Sequence, residues 1–111
     1  MSIALSPSDI AQMQNRYSYL VNYQADDPTT PIDPMAYRSS DGDSLLHIAA
    51  QNGDAQTVEL LLKAGIDPNL LGDMGSTPLH YAKANQRTET ARLLISYGAR
   101  ADIRNEFGKV P

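Results

Sequence analysis

The sequence predicts an all-α protein, a short helical solenoid with a capping helix at its N-terminal end. Three observations predict it: the chain repeats at a period of 33 residues, each copy carries the signals of a helix pair, and a separate amphipathic segment precedes the copies. Laid over residues 75–104, residues 42–71 agree at nine of 30 positions: Gly42/Gly75, Leu46/Leu79, His47/His80, Ala49/Ala82, Asn52/Asn85, Thr57/Thr90, Leu60/Leu93, Leu61/Leu94 and Gly65/Gly98. The same offset carries Gly75 onto Gly108 and Pro78 onto Pro111, the start of a third copy. The chain therefore divides into residues 1–38, a capping helix and linker, and residues 39–111, the repeats (39–71, 72–104 and a partial 105–111).

In chain order, Ser6-Pro7 reads as an N-cap followed by a first helical residue. Ile10, Met13, Tyr17, Leu20 and Val21 then recur at helical spacing, which predicts a helix over 7–24. Asp26–Pro31 is a loop. Ile32-Asp33-Pro34 returns at Ile66-Asp67-Pro68, either as the end of a degenerate repeat or by coincidence. Gly42 and Gly75 sit in turns, and Ser44 and Thr77 follow as N-caps, Thr77 with Pro78 behind it. These signals predict helices over 45–52 and 78–85, with small Ala49 and Ala82 allowing close approach. Asn52-Gly53-Asp54 breaks the first of them. Second helices follow over 55–64 and 88–97, ended by Gly65 and Gly98. Their apolar stripes are Val58, Leu61, Leu62 and Ala91, Leu94, Ile95, with Leu61 and Leu94 expected in the core.

Gly42-Asp43-Ser44-Leu45-Leu46-His47-Ile48-Ala49-Ala50 and Gly75-Ser76-Thr77-Pro78-Leu79-His80-Tyr81-Ala82 resemble the ankyrin signature Gly-x-Thr-Pro-Leu-His-x-Ala-Ala. Val58–Asn69 and its copy ending in Gly98 resemble the rest of that repeat, and the likeness covers residues 39–111. The second copy replaces Ala50, Gly53, Val58 and Asp67 by Lys83, Gln86, Ala91 and Arg100. Terminal repeats are more polar because they meet water, so we expect the second repeat to be a C-terminal cap at the natural end of the chain, the rival reading being a cut inside a longer array of repeats.

Composition bounds the function. A net charge of −4 argues against a nucleic-acid partner, which would require a basic face. The absence of cysteine excludes disulfides and thiolate chemistry. The start, Met1–Pro7, lacks the basic region and apolar run of a leader, and Leu60-Leu61-Leu62 falls far short of the ~20 apolar residues of a membrane span. A cytoplasmic protein with no membrane contact is expected. His47 and His80 occupy one repeat position, where a ring nitrogen can bond turn backbone, so they are read as structural. No metal-ligand set or phosphate loop is present, and no cofactor, metal or enzymatic activity is expected.

The resemblance implies a protein-binding module whose concave face is made by the turn tips and the exposed side of the first helices. It places Asp41 and Asp43 on the first tip, Asp73, Met74 and Ser76 on the second, and Glu106 and Phe107 on the third. Gln51, Asn52 and Asn85 lie on the helical part. Asp41, Asp43, Asp73 and Glu106 would form an acidic strip suited to a partner protein with a basic surface. Met74 and Phe107, 33 residues apart, would act as apolar anchors. The expected action is inhibition or sequestration of that partner. The alternatives are an immunity protein that neutralises a bacterial toxin, or a self-assembling structural protein that pairs through its C-terminal end.

Overall fold

The computed structural model describes residues 4–111. The reading of Met1–Pro7 as no leader rests in part on residues 1–3, which lie outside the described residues. Among the described residues the chain forms five α-helices: α1 (Pro7–Arg16), α2 (Leu45–Asn52), α3 (Ala55–Lys63), α4 (Pro78–Ala84) and α5 (Thr88–Ser96). Among the described residues a single 3-10 turn covers Asp73–Gly75, and the one β-bridge, Arg38 with Ser44, belongs to no sheet. The all-α expectation holds.

The caps explain where the helices begin. Ser6 accepts from the Asp9 N–H at 3.0 Å, and the Asp9 carboxylate accepts from the Ser6 N–H in return, a capping box ahead of Pro7. Ser44 and Thr77 cap α2 and α4 in the same way, with His47 and His80 in the place usually held by Glu or Gln. Asp54 caps α3 through the Thr57 N–H. Its counterpart Arg87 offers no side-chain cap to α5. Gly53 ends α2 in the left-handed region, and Gln86 at the matching position of the second copy is held there too, at φ +58°.

The predicted helix over 7–24 is corrected. It ends at Arg16, because the next residue is drawn inward. Tyr17 is buried and its hydroxyl donates to Asp54 Oδ2 at 2.7 Å, while Arg16 meets Asp54 Oδ1 at 2.7 Å. Beyond it, Asn22 organises a strap over residues 17–31. Its side-chain amide donates to the Pro31 carbonyl, its Oδ1 accepts from the Gln24 N–H, and its own N–H donates to the Pro28 carbonyl. Helical spacing at Leu20 and Val21 was thus incidental, and Val21 is exposed.

The Ile-Asp-Pro echo proves structural. Asp33 and Asp67 each accept, through Oδ1, the N–H two residues on, so both make the same Asx turn. Side chains of α1 (Gln12, Met13, Arg16) lie against those of α3 (Gln56, Thr57, Leu60), as α3 in turn packs on α5. Segment 7–37 therefore holds the place of a preceding repeat's second half, with the strap inserted before its Ile-Asp-Pro turn.

The core runs through the stack. Leu45, Leu46, Ala49, Ala50, Val58, Leu61, Leu79, Ala82 and Leu94 are fully buried, and Met13, Tyr17, Ile32 and Tyr37 extend the core beneath the strap. Ile95 departs from the predicted stripe. Its counterpart Leu62 is covered between repeats, whereas Ile95 is 49% exposed on the far side of α5.

Leu61 is fully buried in this small core. Leu61→Ala should cost about 2–5 kcal/mol, the range for truncation of a core leucine. A urea unfolding curve tests it. A midpoint within error of wild type would place Leu61 outside the cooperative core.

Candidate binding surface

Three tips project from the stack, and one backbone pattern makes all three. The N–H of Ser39, Gly72 and Asn105 donates to the carbonyl four residues on, of Asp43, Ser76 and Lys109, at 2.8, 2.8 and 2.9 Å. The N–H of Gly42, Gly75 and Gly108 closes each turn back onto Ser39, Gly72 and Asn105. These glycines have φ of +93°, +68° and +75°, a region that side chains with a Cβ resist. Met74, beside Gly75, shares that conformation at φ +55°.

The second and third tips are each fastened to the first helix of the repeat before them. His47 Nδ1 accepts from the Ser44 N–H at 3.2 Å and faces the Ser44 hydroxyl at 2.8 Å. Its Nε2 lies 2.9 Å from the Ser76 carbonyl, in the second tip. A carbonyl can only accept, so Nε2 carries the proton and the ring is neutral. His80 repeats the arrangement with Thr77 and with the Lys109 carbonyl of the third tip, also at 2.9 Å. Both histidines are thus inter-repeat ties, as their shared repeat position implied. Arg38 adds a second tie, donating to the carbonyls of Gly42 and Leu71, and Arg104 makes the equivalent bond to Gly108.

The tips also bond to one another. The Asp73 N–H donates to Asp43 Oδ1 at 2.8 Å, and the Glu106 N–H to the Met74 carbonyl at 2.9 Å. The Asp43 carboxylate accepts a second donor, the Tyr81 hydroxyl, at 2.8 and 3.0 Å, and the Tyr81 ring stands edge-on to His47. Burial first, then the bond to Asp43, then the charges of Asp43, Asp73 and Asp41 push the Tyr81 hydroxyl well above the usual phenol range. Three carboxylates therefore act on one group on the concave side of α4.

The expected site residues fall into distinct sets. Asp41, Glu106, Gln51, Asn52 and Asn85 are exposed, and Asp73 is half-buried. Met74 is 50% exposed and Phe107 68%, on adjacent tips. Asp43 is half-buried and its carboxylate is engaged by Asp73 and Tyr81, so it does not stand free in the strip. Ser76 is corrected: it is buried, because His47 holds its carbonyl and the tip closes over it. An open groove of about 420 Å³ runs between α4 and the third tip, lined by Ser76, His80, Tyr81, Ala84, Asn105 and Lys109. Sequence reasoning missed Tyr81 and Arg38. Tyr81 replaces Ile48 at the variable position of the signature, a polar-tipped side chain where an aliphatic one preceded, and Arg38 and Arg104 stand two periods apart. Among the described residues no group of three or more His, Asp or Glu could hold a metal ion, and no helix is long and apolar enough to cross a membrane.

The profile of the family described as ankyrin repeats (3 copies) matches residues 10–105, and the chain belongs to that family. The match reaches into the N-terminal segment, in keeping with the half-repeat seen there. No curated protein matches the sequence. Ankyrin repeats form a non-catalytic scaffold that mediates protein–protein binding.

Two expectations follow. A Cβ at Gly72 would collide with Asp43 Oδ1 and with His47 Nε2, both locked in hydrogen bonds. Gly72→Ala should therefore destabilise the chain by about 1–3 kcal/mol, read as a lower melting temperature, and an unchanged melt would mean the tip can shift freely. The second concerns pH. Burial lowers the His47 pKa below 6.5, so the unfolded chain takes up the proton first. The stability that His47 contributes is full above pH 6.5 and is lost as pH falls below it towards the lowered folded value. The urea midpoint should drop between pH 7.5 and 5.5, and His47→Gln should flatten that slope. An equal slope in the variant would assign the effect elsewhere.

Proposed function

We propose that this ankyrin-repeat chain binds a partner protein with a basic surface through its three tips and the groove beside α4, and that binding inhibits or sequesters the partner. The single observation that carries this is the register of the tips. Three identical turns are bonded edge to edge, so that Asp41, Asp73 and Glu106 present negative charge beside exposed Met74 and Phe107. A rigid surface loses little freedom on binding, and large apolar side chains within a charged rim are the composition of an interface core. The carboxylates would steer a basic partner and the apolar pair would hold it. A small basic enzyme is a suitable target, including a toxin that cuts nucleic acid, because its cleft must itself be positive to receive phosphates.

Asp43 is left out of the test because its carboxylate joins two repeats. The partner is captured from the native host on the immobilised chain, and association and dissociation rates are measured at two salt concentrations. Asp41→Asn, Asp73→Asn and Glu106→Gln combined should slow association about tenfold at low salt, and less as salt screens the field. Phe107→Ala and Met74→Ala should instead speed dissociation with little salt dependence. Rates equal to wild type for all these variants would remove the tips from the interface.

A further inference from the structure

Charge is divided along this solenoid. Residues 1–75 hold ten acids and three bases, and residues 76–111 three acids and six bases, so −7 stands against +3 within one chain. Both ends bring that charge to exposed apolar surface. At the C-terminal end, Ala50, Val58 and Leu62 have as counterparts Lys83, Ala91 and Ile95. The first three are buried between repeats, whereas Lys83 is exposed and Ile95 half exposed. Lys83, Arg87, Thr88 and Ala91 line an open groove of about 400 Å³, and Arg92 is exposed on α5, where Glu89 is the one acid. At the other end, a groove of about 310 Å³ opens in the strap between Ser18–Val21 and Pro28–Ile32. Tyr19 and Val21 are exposed there, and Tyr23, Asp26 and Asp27 stand exposed elsewhere on the same strap. Among the described residues, Lys83, Arg92, Asp26 and Asp27 make no ion pair.

We propose that copies of this chain stack head to tail, with Ile95 of one copy against the strap groove of the next and Lys83 and Arg92 facing Asp26 and Asp27. Charge selects this pairing. Joining like ends sets acid against acid or base against base, and only opposite ends are complementary. Apolar surface selects the same faces, since each end exposes aliphatic or aromatic groups that a monomer leaves in water. The contact also continues what the chain does internally, where α4 and α5 cover the outward face of the repeat before them. Two different patches make the contact heterologous, so each copy keeps one free end and assembly is open unless it closes a ring. The inference does not rest on the tip-binding reading: Lys83 lines both the α4 groove and this end, but Arg92, Ile95 and the strap lie outside the tips and that groove.

Sedimentation equilibrium of the whole chain, over a wide concentration range at low and high salt, tests this. The average mass should climb steadily above the 12.1 kDa monomer at low salt and fall back at high salt. Lys83→Glu with Arg92→Glu makes both ends acidic, and Asp26→Lys with Asp27→Lys makes both basic, so each double variant alone should stay monomeric. Their equimolar mixture should associate again, because every junction in it can pair opposite charges. Ile95→Asp, at an exposed position, should weaken wild-type association at least tenfold without touching the fold, which circular dichroism checks for every variant. A monomer at all concentrations and salts would overturn the proposal. So would association that survives both charge-reversed variants, or one abolished by Asp41→Asn with Asp73→Asn and not by the strap variant.

Discussion

The hydrogen bond from His47 Nε2 to the Ser76 carbonyl reaches from the first turn of one helix into the turn of the next repeat, and His80 repeats it to Lys109. A two-helix repeat has few long-range backbone contacts, so its turns would splay if only their own bonds held them. The imidazole prevents this because it has two faces of opposite character. Nδ1 accepts at the helix N-terminus, where orphan N–H groups need acceptors, and Nε2 donates to a carbonyl of the neighbouring tip. One neutral ring thus caps its own helix and sets the register of the following turn. Neither Glu nor Gln at this position could do both with the same rigidity.

From that register follows the tie between Asp43 and Tyr81. Once the second tip is drawn against the first, the Asp73 N–H points at the Asp43 carboxylate, and the Tyr81 hydroxyl of α4 completes its coordination. Asp43 then acts on two levels. Its oxygens join adjacent repeats, and its charge adds to the field of Asp41 and Asp73 on the concave side. The acid that does most to hold the surface together is accordingly the one least available to a ligand.

The two copies are unequal in their local signals. The first has Gly53 in the left-handed turn and Asp54 capping α3. The second has Gln86 in the same conformation, a cost of about 1 kcal/mol for a residue with a Cβ, and Arg87 with no cap to offer. Arg87 compensates across the repeat boundary by lying over Gly53 and donating to the Gln51 carbonyl at 3.1 Å. Helix α5 therefore relies on packing for what its own N-terminus lacks, whereas α4 keeps a full capping box.

The all-α solenoid, the caps at Ser6, Ser44 and Thr77, the burial of Leu61 and Leu94 and the structural role of both histidines were legible in the sequence, because each depends on local chemistry repeated at a fixed period. The resemblance to the ankyrin repeat also placed Asp41, Asp73, Met74, Glu106 and Phe107 on tips, where the turns are found. What it left undetermined were contacts made across repeats and across the strap. Tyr17 ends α1 early because Asp54, 37 residues away, takes its hydroxyl. Ser76 is buried and Asp43 engaged because His47 and Tyr81 reach them from other elements. Ile95 is exposed although its stripe reads as interior, because burial depends on what packs over a face, and helical spacing reports only that a face exists.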